Sequence, residues 1–387
     1  MDMDLERVMT TIYLIRHAEA EGNLYRRAQG QFDGAITPRG QKQIDALSER
    51  FCAVRLDAVY SSDLVRAYDT ALGVAKDLGL PVKTMPALRE INLGVWDNRA
   101  WADLENDEAE EMSNFSHNPE RWSVAGGEPF ADLTGRIAGA ILELAERHDG
   151  ETIAVVSHGM AIRALLCHVL NVRAGDQQAV PHGDNTSVSL LHVEDGSIRA
   201  EYCNDTSHLP QEISTFAKQT WWRENADRSE RNIRCLPFDP LKESELYTRC
   251  YRETWIASHG RDEGFNPKVY LQIAKRHAKE DPRSIVKAMR GDVFSGLLEM
   301  DVERAKESGA GWISLLFLVP SERGKGLAVQ LIGHAAALFK ELGRAYLRLH
   351  VAEENEKAIG FYRHMGFRMI GTAEGAISRL YLMEKTI

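Results

Sequence analysis

Two short apolar runs end the same way, and no other feature constrains this chain as much. Ile12 to Ile15 runs into Arg16-His17, with Gly22 and Asn23 soon after; Thr152 to Val156 runs into Ser157-His158-Gly159. Runs of this length and β-branched or aromatic character read as buried strands. In open α/β sheets, ligands sit outside the carboxyl ends of strands, where both histidines fall. A guanidinium beside an imidazole suits a phosphate, because arginine grips phosphate oxygens with a planar fork. An isolated Arg-His pair is a surface accident. Two strands that each end in histidine are what a two-histidine site needs.

Further residues fit the same chemistry. Asp57 to Tyr60 reads as a short strand ending in Ser61-Ser62-Asp63, and a helix begins there with Arg66 in its first turn. A helix start favours an anion through its free N–H groups and dipole, and Arg66 adds a charge that does not titrate away. Taken alone, Arg66 reads as a surface ion pair. Glu90 is followed by Ile91, Leu93, Val95 and Trp96, an apolar set that would shield its carboxyl from water. Taken alone, it reads equally well as a capping or ion-paired glutamate.

Together, Arg16-His17-Ala18-Glu19, Ser61 to Ala67, Glu90 and Ser157-His158-Gly159 resemble the histidine phosphatase, or phosphoglycerate mutase-like, superfamily. The resemblance implies an α/β fold, a three-layer αβα domain, over residues 1–205. It implies phosphomonoester hydrolysis through a phosphohistidine on His17. Arg16, Arg66 and His158 would hold the phosphate oxygens, and Asn23 would add a neutral donor. Glu90 would be acid first and base second, and no metal is needed. Ala18 stands where many members carry glycine. The family also holds mutases; no motif here secures a bisphosphorylated intermediate, so hydrolysis is preferred and mutase-type transfer is the alternative.

The chain has 387 residues, more than one core usually serves, so two domains are expected. Residues 206–231 lose strand character and read as a linker, with Trp221-Trp222 packing between domains. Beyond it, Leu241 to His259 reads as a helix, and Ser284 to Arg290 and Asp292 to Glu299 as paired strands. Trp312 to Val319 is a strongly apolar strand that enters Pro320-Ser321-Glu322-Arg323-Gly324-Lys325-Gly326-Leu327-Ala328, and then a helix. A glycine-rich turn from strand into helix cradles phosphate with backbone N–H groups. It is not a Walker loop, since Gly-Lys is not followed by Ser or Thr.

With Leu347 to Val351, Asn355, Ala358, Phe361-Tyr362 and Gly366-Phe367 following in order, this half resembles the GNAT N-acetyltransferases. The resemblance implies an α+β domain over 232–387 with a mixed, mostly antiparallel sheet, and acetyl-CoA as cofactor. Its pyrophosphate would lie on Arg323, Gly324, Lys325, Gly326, Leu327 and Ala328. Its arm would run beside Leu318 and Val319, between strands 312–319 and 347–351, and touch Asn355. Tyr362 would protonate the leaving thiolate, with a core tyrosine as the alternative. For the general base, His350 and Glu353 are candidates by position only, and a water chain serves as well.

The bulk numbers narrow the partners. With 47 Lys+Arg against 57 Asp+Glu, the formal charge is −10, which disfavours a general nucleic-acid role. No apolar run reaches the length of a membrane span, and the opening MDMDLERVMT is too polar for a signal peptide. Five scattered cysteines without a Cys-x-x-Cys pair suggest neither a zinc ribbon nor a disulfide framework. The expectation is a cytoplasmic, bifunctional enzyme acting on a small phosphorylated substrate and on a small-molecule or peptide amine. Its rival is a phosphatase tuned by a non-catalytic acyl-CoA-binding domain.

Overall fold

The computed structural model describes residues 8–219 and 232–387. Trp221 and Trp222 lie outside the described residues. The chain divides into two compact units, one made mostly of residues up to 226 and the other mostly of residues from 227.

The first unit is built on six strands: β1 (Thr10–Arg16), β2 (Ala58–Ser61), β3 (Val82–Thr84), β4 (Thr152–Ser157), β5 (Val188–Glu194) and β6 (Ser197–Asp205), in the order β3-β2-β4-β1-β5-β6. The first four run parallel; β5 and β6 join antiparallel. A parallel sheet must be covered on both faces, which is why β1 and β4 are continuous apolar runs. On one face Ile15, Val59, Ala154 and Val156 meet Leu47, Phe51, Ala67 and Val74 of the helices Pro38–Phe51 and Val65–Ala75. The helices Phe130–Arg147 and Gly159–Val169 pack on each other and against β1, which completes three layers. Thr37 caps the Pro38–Phe51 helix by accepting from the Gly40 amide, as its Thr-Pro start predicts. Pairing of Arg16 with Ser157 brings the ends of β1 and β4 level.

Residues 206–219, read from sequence as the start of a linker, are built into this unit. Ser214 caps a short helix, Thr215–Lys218, whose Thr215 and Phe216 are buried. The Thr215 hydroxyl donates to Glu19 at 3.1 Å and accepts from Gln43 at 3.0 Å.

The second unit has seven strands: β7 (Arg234–Pro237), β8 (Ile285–Arg290), β9 (Val293–Asp301), β10 (Ala310–Leu318), β11 (Tyr346–Ala352), β12 (Arg368–Glu374) and β13 (Arg379–Thr386). Their order is β12-β13-β11-β10-β9-β8-β7. Neighbours run antiparallel except β10 and β11, which are parallel. That parallel pairing stops at Ile313↔Leu349 although both strands continue, and β10 slips register against β9 between Ile313 and Leu315. The strands therefore part. The helices Ser244–His259 and Pro267–Glu280 cover one face through Tyr247, Cys250 and Ala274. The helix Ala328–Glu341 covers the other through Leu331, Ala335 and Phe339. Among the described residues, no helix is long and apolar enough to cross a membrane.

Candidate active sites

In the first unit, β1 delivers Arg16 and then His17, which is buried. The His17 Nδ1 lies 2.7 Å from the Ala18 carbonyl oxygen. A carbonyl only accepts, so Nδ1 carries the proton and Nε2 keeps its lone pair. His158 stands at the N-cap position of the helix Gly159–Val169 without a side-chain cap bond, and its ring centroid stands 5.2 Å from that of His17. Burial first, then Arg66 and Arg16, hold His17 well below its ordinary 6.5. Burial first, then Arg66, His17, Arg16 and Arg136, do the same to His158. Both rings are neutral at pH 7.

The two guanidiniums are aimed by backbone carbonyls. Arg16 Nη1 donates to Gly183 O at 2.5 Å; Arg66 donates to Phe32 O at 2.9 Å and to Gly30 O at 2.6 Å. Burial lowers Arg66 to about 10, against the pull of Glu90, Asp33 and Asp97, so it stays charged. Arg16 Nε, Arg66 Nε and both ring nitrogens of His158 are buried and, among the described residues, have no hydrogen-bond partner. Buried polar groups are ordinarily paired, because leaving one unmade costs about 1–3 kcal/mol. Four such nitrogens around His17 describe a site built for an oxyanion. A Cβ added to Gly159 would stand 3.3 Å from Arg16 Nε, so glycine leaves that guanidinium its room.

Glu90 lies against the start of the Gly159–Val169 helix. Its Oε1 accepts from the amides of Ile91 (3.0 Å) and Ala161 (2.9 Å), and its Oε2 from that of Met160 (3.0 Å). Of its expected apolar wall, Ile91, Leu93 and Trp96 are buried; Val95 is 56% exposed and contributes no wall, because its turn faces solvent. Asn23 is half-buried, and its Oδ1 accepts from the Ala20 amide at 3.1 Å and from Asn185 at 3.4 Å. From sequence, Asn185 to Val193 reads as a strand with no part in the site; the strand starts at Val188, and Asn185 lies in the loop before it. Asn185 Nδ2 donates to His17 O at 2.9 Å, and the Thr186 amide to Arg16 O at 3.1 Å. Thr186 adopts a φ of 60°, and Asp184 accepts from Ser214 at 2.6 Å. This loop fixes the backbone of the Arg16-His17 pair. The structure thus gathers Arg16, His17, Arg66, Glu90 and His158, with Asn23 joined to them through Asn185.

In the second unit, the glycine turn follows β10. Gly324 and Gly326 have φ of 78° and 77°, the left-handed region glycine favours, and no atom lies within 4 Å of where either Cβ would stand. Leu327 opens the helix Ala328–Glu341 without a side-chain cap. The turn is therefore open and, among the described residues, the amides of 324–327 make no hydrogen bond outside regular elements, which fits a pyrophosphate. Arg323 Nε donates to Leu318 O at 2.9 Å, and the Val319 amide donates to Ser295 O at 3.0 Å, so these groups brace the turn.

A cavity of about 460 Å³ lies where β10 and β11 part; it is bordered by Trp312, His350, Asn355 and Tyr362 among others. Leu318, which ends β10, and Val319 and residues 323–328, which follow it, do not border the cavity. Asn355 Oδ1 caps the helix Glu356–His364, accepting from Ala358 at 3.1 Å. Burial raises the Tyr362 hydroxyl to about 12, which keeps it protonated. Of the two positional candidates for a base, His350 borders the cavity; Glu353 does not, and accepts from the Tyr381 hydroxyl at 2.8 Å.

Sequence reasoning also missed His277. Its Nδ1 lies 2.7 Å from Glu299 and its Nε2 2.9 Å from Asp301, while the Tyr247 hydroxyl donates to Glu299 at 2.8 Å. Burial opposes the charge, but the two carboxylates win and raise His277 to about 9. His277, Glu280 and Asp301 come close enough to hold a metal ion. With both nitrogens protonated, however, His277 has no lone pair to give one.

Comparison with known proteins follows the same division. Residues 12–206 match the histidine phosphatase superfamily (branch 1), and residues 244–367 match the acetyltransferase (GNAT) family. Phosphoserine phosphatase 1 of Hydrogenobacter thermophilus is 33% identical over 201 residues, 52% of this chain and 95% of that protein. The metal-independent phosphoserine phosphatase of Arabidopsis thaliana is 34% identical over 211 residues, 54% of this chain and 87% of that protein. A probable phosphoglycerate mutase, GpmB, of Yersinia pestis is 32% identical over 206 residues, covering 52% and 95%. Among solved structures, Bacillus stearothermophilus YhfR is 31% identical with a TM-score of 0.50, covering 51% of this chain and 98% of that one. The chain belongs to the histidine phosphatase superfamily. Its phosphoglycerate mutase-like α/β domain is followed, in the same chain, by a GNAT domain with a mixed sheet.

Proposed function

We propose that the chain is a bifunctional enzyme: a phosphomonoesterase working through a phosphohistidine, fused to an acetyl-CoA-dependent amine acetyltransferase. We assign the first activity to residues 1–205 and the second to 232–387. The observation that carries the first is the set of four buried, unpartnered nitrogens around the free Nε2 of His17. In this reading His17 Nε2 forms a bond to phosphorus as the ester P–O bond breaks, and Glu90 gives the leaving oxygen its proton. Glu90 Oε2 is the atom to hold that proton, since it accepts only one amide where Oε1 accepts two. Water then attacks phosphorus, returns a proton to Glu90, and frees His17. Arg16, Arg66 and His158 hold the oxygens throughout, and no metal takes part.

Two relatives are named phosphoserine phosphatases, which supports hydrolysis of a small phosphomonoester such as phosphoserine over mutase-type transfer. The test offers phosphoserine and phosphoglycerates to the full chain and traps labelled phosphate on the protein. An acid-labile adduct that is absent from His17→Ala is expected; phosphoryl exchange between phosphoglycerates without phosphate release would favour the mutase.

In the second unit, acetyl-CoA when bound supplies the activated acetyl group. The amides of 324–328 suit its pyrophosphate, and the parting of β10 and β11 suits its arm. His350 accepts the proton of the attacking amine, and the Tyr362 hydroxyl supplies one to the departing sulfur. Free cysteines throughout the described residues suit a reducing, cytoplasmic setting.

A further inference from the structure

The charges that border the second unit's cavity are unequal in what they have left to offer. Its carboxylates are spent. Glu299 takes His277 on one oxygen and Tyr247 on the other. Asp301 takes His277 on Oδ2 and the amides of Glu303 and Arg304 on Oδ1. Arg276 is spent as well, lying 3.6 Å from Glu280 and 3.7 Å from Asp301. Arg304 is different. Its guanidinium lies 3.6 Å from the centre of the Trp312 ring and, among the described residues, makes no side-chain hydrogen bond or ion pair. A guanidinium held over an indole is kept in place while its N–H groups stay free for an anion.

A bare ammonium would therefore find no free carboxylate here, and would meet an unpaired positive charge. An anion would find a fixed fork. The group that would meet the nitrogen and the group that would meet the anion also have a neighbour in common. The His350 ring also meets Trp312, edge to face with centroids 4.8 Å apart, so imidazole and guanidinium share one indole as neighbour. We propose that the acceptor of the second unit is an amine carrying an anionic group only a few bonds from its nitrogen, a carboxylate or a phosphate-type group, and that Arg304 reads that anion. This rests on the acetyltransferase reading above and adds its substrate class. His350 takes a proton from the nitrogen, the nitrogen bonds to the acetyl carbon, the carbon–sulfur bond breaks, and the sulfur gains the Tyr362 proton.

The test compares β-alanine, 2-aminoethylphosphonate and propylamine on the full chain; the phosphonate survives the phosphatase. Calorimetry measures binding of each amine, and of acetyl-CoA, and release of CoA measures turnover. The two acid-bearing amines are expected to exceed propylamine by at least about tenfold in kcat/KM. The better of the two names the anion. Arg304→Gln is expected to raise KM for both acids about tenfold or more, leave propylamine unchanged, and leave acetyl-CoA binding and phosphatase activity intact. Propylamine used as well as the acids would overturn the proposal, as would an Arg304→Gln variant impaired equally with all three. A chain that binds the acid-bearing amines but not acetyl-CoA would keep the anion site and remove the acetyltransferase reading instead.

Discussion

The two units bury histidine in opposite ways. His17 and His158 sit among guanidiniums, are held well below their ordinary pKa and, among the described residues, leave three ring nitrogens between them without a hydrogen-bond partner. His277 sits between two carboxylates, is raised to about 9, and has both nitrogens bonded. Desolvation acts against charge in all three; the neighbours decide the outcome. The lesson is that burial alone does not distinguish a reactive histidine from a structural one. The count of unmade hydrogen bonds does.

The largest effect that would break this comparison is on His17. Replacing it with alanine is expected to cut phosphate release by about 10⁴-fold or more, since the nucleophile itself is lost. Acetyl-CoA binding by the same chain should not change, which controls for folding. Next is His277→Ala, expected to leave activity in the first unit intact but to destabilise the second by about 3–5 kcal/mol, because two buried carboxylates lose their cation. Denaturant unfolding followed by hydrogen exchange in β8 and β9 reads this directly. His158→Ala sharpens the contrast from the other side. It should slow phosphate release by about 10²- to 10³-fold while costing the first unit less stability than His277→Ala costs the second, because no protein hydrogen bond is broken. Equal destabilisation by the two alanines would erase the distinction drawn here.

The gathering of His17 and His158 was legible in the sequence because strand ends put side chains next to their own context. Arg16-His17 and Ser157-His158 each follow the apolar run that positions them, and sheet order does the rest. The structural histidine was not legible. His277 meets Glu299 and Asp301 across 22 and 24 residues, on a helix and a strand that only the fold brings together. Even so, Asn266-Pro267 announces its helix, an Asn cap followed by Pro at the first turn. Asn185 escaped for the same reason as His277. Its bond to His17 spans 168 residues and depends on β5 lying antiparallel beside β1. The glycine turn was legible because its two left-handed φ values demand glycine, whereas its failure to border the cavity depends on where β10 ends.

The smallest effect is the response to pH, and its sign differs between the units. Where the folded value of a histidine is depressed, the unfolded chain gains its proton first as pH falls. The first unit should therefore lose stability as pH drops below about 6.5, from His17 and His158. Where the folded value is raised, the extra stability is whole below the unfolded value and fades as pH climbs. The second unit should therefore lose its His277 contribution between about 6.5 and about 9. One proton's difference gives a slope of at most about 1.4 kcal/mol per pH unit, so each unit needs its own probe. Exchange-detected unfolding, corrected for intrinsic exchange rates, should show β4 losing stability as pH falls below about 6.5 and β9 losing it as pH rises from about 6.5 to about 9. His277→Gln should flatten the second slope and leave the first alone. If β9 instead gains stability towards pH 9, the cation between Glu299 and Asp301 is not there, and the contrast between the units fails at its structural end.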